Sequence, residues 1–289
     1  MSTIQTSKRY NHLNRKKIMS KFKLLIMLWS VFLSTLALAA PQKDLWPIWQ
    51  MNNPKSLAII DNSNYQKFLT NYITTDSSGV NLVAYSKVST KDQQMLEGYL
   101  NYLSSIKISD YNRNEQLAYW ANLYNALTID TILKHMPVES ILKIKLGGVF
   151  SSGPWDAKLI KVENNELSLN DIEHRIIRPI WNDSRTHYIL NCASFSCPNL
   201  QKTPFNGANI ADSLNSAAIA YVNSPRGVSI NDGILTVSQI YEWYGDDFGT
   251  SQQQIISQIS KYANPALKSQ LAKFTHINKY NYNWSLNGK

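Results

Sequence analysis

Glu173, His174, His187, Cys192 and Cys197 fall within one 25-residue stretch of a chain that holds only two cysteines and five histidines. A cysteine attacks a carbonyl only as a thiolate, which needs a nearby base or a positive helix end. His174 or His187 can take that proton, and Glu173 can orient the imidazole and stabilise its charged form. Such a set suits a thiol hydrolase or acyltransferase, with Cys192 entering a loop of small polar residues as the nucleophile. The same residues also have plainer uses. Cys192 and Cys197, with four residues between them, can form a disulfide where the loop folds back. C-x4-C with His174 and His187 offers four zinc ligands, but the histidine spacing departs from the usual pattern, so no metal and no other cofactor is expected. Glu173 stands three residues after Asn170 and can complete a capping box, while His174 points about 100° around the helix from it. His187 can be a simple turn histidine. Asn122 and Asn125, three apart, can present amides to a substrate or oxyanion, or bind backbone carbonyls instead.

The elements that must position these groups are legible from patterning. Residues 40–63, with Pro41, Trp46, Pro47, Trp49 and Pro54, read as an extended lead-in. Helical spacing starts near Asn64, a short strand follows at Val80–Tyr85, and Thr90 caps a helix through Leu103. The longest helix runs from Glu115 to His135, is stopped by Pro137, and aligns Leu117, Trp120, Ala121, Tyr124, Leu127 and Thr128 on one face. Gly-containing bends follow at Gly147-Gly148 and Gly153-Pro154-Trp155. Ser168 to Arg178 reads as a capped helix closed by Pro179, and Tyr188–Leu190 as a buried strand that presents Cys192 at a sheet edge. A helix over Ile210–Val222 precedes a hairpin turning at Asn231-Asp232-Gly233. Ser238 caps a helix through Tyr244, and Trp243, Asp246, Asp247 and Phe248 read as packing and capping residues. The expected fold class is α+β, a single domain over 64–289 with helices packed on a small, mostly antiparallel sheet.

Charge says where the chain goes. The sequence carries 29 Lys and Arg against 20 Asp and Glu, a formal net charge of +9. Seven of those basic residues and no acid lie in residues 1–39, ahead of an apolar run from Leu24 to Leu36 and an Ala37-Leu38-Ala39 site. That order is a secretory signal peptide, and the run is short for a membrane span of about 20 residues. Cleavage would leave 22 basic residues against 20 acids, which removes the main support for nucleic-acid binding. The reading is therefore an exported, periplasmic or extracellular protein, monomeric and without a stable transmembrane span.

Four segments resemble the domain of unknown function 547 family. Trp120-Ala121-Asn122-Leu123-Tyr124-Asn125-Ala126-Leu127 is similar to its W-x-N-x-Y-N-A-L helix, and Ile172-Glu173-His174-Arg175-Ile176-Ile177-Arg178 to its I-E-H-x-I-x-R element. Asn191 to Pro198 is similar to its N-C-A-S-x-S-C-P segment, and Tyr282 to Asn287 to its closing Y-x-W-x-L-N. The resemblance implies a cysteine-hydrolase-like site on Cys192, Glu173 and His174 or His187, and it favours Cys192 over Cys197 and His174 over His187. Papain-like and transglutaminase-like enzymes place cysteine before histidine and acid, so kinship with them implies a permuted order. Two functions stand: a thiol enzyme cleaving or transferring an amide or peptide bond of a peptide or cell-envelope substrate, and a non-catalytic extracytoplasmic binding or scaffolding module with a structural Cys192–Cys197 disulfide.

Overall fold

The computed structural model describes residues 41–146 and 152–289. The leader reading over 1–39 and the Gly147-Gly148 bend lie outside the described residues. Helices α1 (Ser63–Tyr72), α2 (Thr90–Ser105) and α3 (Arg113–Leu133) form the first half, with the hairpin β1 (Ile73–Thr75) and β2 (Asn81–Val83) between α1 and α2. Hairpin β3 (Ile160–Val162) and β4 (Asn165–Leu167) leads into α4, a π-helical stretch Asp171–Ile177 that continues as Arg178–Trp181. After α5 (Ile210–Val222) come β5 (Val228–Asn231) and β6 (Ile234–Ser238), the short helices α6 (Ile240–Trp243), α7 (Gly245–Phe248), α8 (Gln252–Ser260) and α9 (Pro265–Leu271), and β7 (Lys279–Asn281). The strands form three small sheets, antiparallel except where β7 joins β6 in parallel. The α+β expectation holds.

α3 is the axis. Asn112 caps it by accepting from the N–H groups of Asn114 and Glu115, and every residue from Glu115 to Ile132 is buried. Sequence spacing suggested one apolar face, but α2, α4 and α5 pack around the helix, and the lead-in adds Trp49, edge-on to Trp120 at 5.0 Å. A helix enclosed on all sides must satisfy its polar side chains within the protein. Glu115 accepts from the Ile60 and Gly207 N–H groups, and Gln116 donates to the Met51 and Ile108 carbonyls.

α4 begins at Ser168 as expected but differs from expectation in its cap partner and at its C-terminal end. Ser168, not Asn170, caps it: the Ser168 hydroxyl accepts from the Asp171 N–H, and the Asp171 carboxylate accepts from the Ser168 N–H. That capping box leaves Glu173 outside it. The helix also passes through Pro179 and stops at Asn182, which is left-handed at φ 47°. A proline inside a helix leaves carbonyls one turn back without a donor. The lead-in supplies the replacements, with Asp44 N–H donating to His174 O at 3.1 Å and Trp46 N–H to Arg175 O at 3.0 Å.

Candidate functional site

The π-helical winding of α4, in which Arg178 N–H donates to Glu173 O, buries Glu173, His174 and Arg178 together. π-helical turns cluster at functional sites. The successive side chains diverge, as helical geometry requires, and take different partners. Glu173 Oε1 lies 3.7 Å from His187 Nδ1. His174 Nδ1 lies 2.9 Å from Arg178 Nη1. A guanidinium only donates, so His174 accepts at Nδ1, and neutral His174 carries its proton on Nε2. Arg178 Nε also donates to Asp247 Oδ2 at 2.7 Å, and His187 Nε2 meets the same oxygen at 2.8 Å. Lys43 of the lead-in approaches Asp247 Oδ1 at 2.9 Å. Tyr244 stacks on His187 with centroids 4.1 Å apart and lies beneath the Arg178 guanidinium.

Electrostatics follow from this crowding. Burial pushes the Glu173 carboxyl up, but His174, His187, Arg178 and the Tyr244 hydroxyl together hold it below the ordinary glutamate value. Asp247 is raised by burial and more than compensated by hydrogen bonds from His187, Arg178 and Lys43, so it stays well below the carboxylate range. His174 falls below the usual histidine value, chiefly through burial, which the adjacent Glu173 only partly opposes. The cluster therefore holds two carboxylates as anions and His174 as a neutral ring near pH 7.

The cysteines are joined as a disulfide, Cα atoms 6.2 Å apart. No strand forms over Tyr188–Leu190 to lead into them; a 3-10 turn over Ser184–Tyr188 does. The side chain of Asn125 fills the place of a strand partner, donating to Ile189 O at 2.9 Å and accepting from Asn191 N–H at 2.8 Å. Asn122 likewise brackets the Phe205 backbone, accepting from its N–H and donating to its C=O. Both amides suspected of substrate contact are thus engaged by backbone. Ala193 follows Cys192 at φ 59°, a left-handed bend held by its N–H to Asn191 Oδ1. The C-terminal segment laces this loop down: Phe195 and Ser196 N–H groups donate to the Ser285 and Asn283 carbonyls, and Asn287 N–H to Ala193 O.

Tyr282 packs on the cysteine loop. Its hydroxyl lies 3.1 Å from Cys192 Sγ and 3.2 Å from Cys197 Sγ. Burial is the main reason its phenol is held far above the ordinary value, and the charge of Glu173 adds to that. Among the described residues no hydrogen bond joins either histidine to Cys192, and no group of three His, Cys, Asp or Glu is arranged to hold a metal ion. Among them, too, no helix is long and apolar enough to cross a membrane. An open cleft of about 420 Å³, lined by Ile59, Asn62, Gln66 and Pro204 among others, contains none of the ionisable cluster.

Patterning missed Arg178, Tyr244, Asp247 and Tyr282. Asp247 had one available signal: an acid beside aromatic residues just after a helix, where a cap would suffice. No curated protein and no solved structure matches the chain. Residues 108–222 match the family described as Protein of unknown function, DUF547, a segment containing Glu173, His174, His187 and both cysteines, and over that segment the chain is similar to this family.

Proposed function

We propose that the protein is an exported thiol hydrolase or acyltransferase acting on an amide or peptide bond of a peptide or cell-envelope substrate, with Cys192 as nucleophile in its reduced form. The observation that carries this reading is the buried Asp247–His187–Glu173 chain, with a tyrosine hydroxyl in contact with the Cys192 sulfur and its phenol raised further by the charge of Glu173. A purely structural core gains little from burying so many ionisable groups together. Asp247 orients His187 through Nε2, and Glu173 faces its other nitrogen, so His187 is assigned as the base and Asp247 takes the orienting role first given to Glu173. His174, with its acceptor nitrogen occupied by Arg178, is a fixed N–H donor in this scheme. The Cys192 thiolate adds to the carbonyl, the C–N bond breaks, and the amine leaves with the proton that His187 took from the thiol. Water or an acceptor amine then releases the acyl group.

The disulfide favours a second reading, a non-catalytic module in which the bridge is structural. Incubating mildly reduced protein with a peptide vinyl sulfone and mapping adducts by mass spectrometry separates the two. Thiol-enzyme chemistry predicts a single adduct on Cys192, lost in Cys192→Ala and slowed at least about tenfold in His187→Gln. Reduced, folded protein that forms no adduct favours the structural module.

A further inference from the structure

The two sulfurs of the bridge sit in unlike surroundings. Cys192 is partly exposed, whereas Cys197 is buried. Cys197 Sγ alone accepts the Cys192 backbone N–H, at 2.9 Å, while the Tyr282 hydroxyl lies within reach of both sulfurs, 3.2 Å from Cys197 and 3.1 Å from Cys192. That hydroxyl accepts from Ser194 Oγ at 2.8 Å, which leaves its own hydrogen available to a sulfur. Arg226 closes the back of the loop, donating through Nη1 to the carbonyls of Phe195 and Cys197 at 2.9 and 2.8 Å. This guanidinium is mostly buried, and no ion pair joins it among the described residues; its Nη2 goes to the neutral amide of Asn199. Its positive charge is therefore not cancelled by a paired carboxylate beside Cys197. Hydrogen-bond donors and a nearby cation are what stabilise a thiolate, and a stabilised thiolate is the better leaving group in disulfide exchange.

We propose that Cys192–Cys197 is an exchangeable disulfide, attacked at the accessible Cys192 sulfur by the thiolate of a dithiol donor, with Cys197 leaving as the thiolate that the loop is built to hold. The donor's first sulfur bonds to Cys192 as the Cys192–Cys197 bond breaks. The donor's second thiolate then attacks its own first sulfur, closing the donor's disulfide and releasing Cys192. Two electrons pass from donor to bridge, and the donor's two protons end on the cysteines. This activity goes beyond acyl transfer and needs no amide substrate, although it would also free Cys192 for that chemistry.

The test uses the oxidised full chain under native conditions, with reduced glutathione as a monothiol and dithiothreitol as a dithiol, followed by acid quench, alkylation and peptide mapping. The expected results are a glutathione adduct on Cys192 with Cys197 alkylated, and complete reduction by dithiothreitol at thiol concentrations where glutathione stops at the adduct. Tyr282→Phe should slow the first step about tenfold, the effect of one hydrogen bond to the leaving sulfur. An adduct on Cys197, or a bridge that opens only in denaturant, overturns the proposal. Complete reduction by glutathione at equal thiol concentration overturns the dithiol assignment. The readout follows sulfur alone, so a protein that exchanges thiols but never reacts with the vinyl sulfone contradicts the acyl-transfer reading and leaves this one standing.

Discussion

Asp247 illustrates how much one side chain can organise. Its carboxylate meets His187, Arg178 and Lys43, which come from three separate parts of the chain. Removing it leaves the buried Arg178 guanidinium without its carboxylate, so Asp247→Ala should lower unfolding free energy by about 3–5 kcal/mol in urea titrations. Protonation has a defined direction here. His174 has a folded value below the usual 6.5, so the unfolded chain binds more protons as pH drops through 6.5, and stability falls from there downward. Glu173 and Asp247 have depressed folded values. Their contribution is complete only above the ordinary carboxylate values, from about pH 5 upward, and is lost progressively as pH falls below them toward the folded values. Thermal melts from pH 8 to pH 3 should therefore show two declining limbs. His174→Gln should remove the upper limb and keep the lower.

At the scale of elements, a helix side chain does what a β-strand was expected to do. Residues 188–190 have the composition of a buried strand, yet they form none, because Asn125 on α3 offers one donor and one acceptor at the spacing of a backbone neighbour. Asn125→Ala should leave a buried carbonyl and a buried N–H without partners. The expected loss is about 2–4 kcal/mol, with faster amide exchange at Asn191 as a local readout. α3 itself was readable from its period and its stop at Pro137, because a long helix repeats its signal over many turns. The π-helical course of α4 was not, since it depends on the lead-in supplying N–H groups to the His174 and Arg175 carbonyls.

For the whole molecule, the two ends of the described chain brace the site. The lead-in buries Trp49 against Trp120, binds α4 through its backbone, and carries Lys43 to Asp247. Trp49→Ala should cost about 3–5 kcal/mol in chemical denaturation. The C-terminal segment pairs with the cysteine loop, and Asn287 bridges Tyr85 after β2 and Asn191 before Cys192. The disulfide closes only a short loop, so reducing it should lower stability by about 2 kcal/mol rather than unfold the chain. Calorimetry of oxidised and reduced protein at equal pH checks that figure.

Residue types and local periodicity determined the long helices α2, α3 and α5, the Asn231-Asp232-Gly233 hairpin, and the short list holding Glu173, His174, His187, Cys192 and Cys197. These are short-range signals, written where the residues stand. Tertiary structure decided the partnerships: Asp247 with His187 across 60 residues, Lys43 with Asp247, Tyr282 with both sulfurs, and Asn122 and Asn125 with backbone rather than a ligand. Burial forces every charge and amide to find a partner somewhere in the fold, and a linear pattern carries the need for that partner without its address.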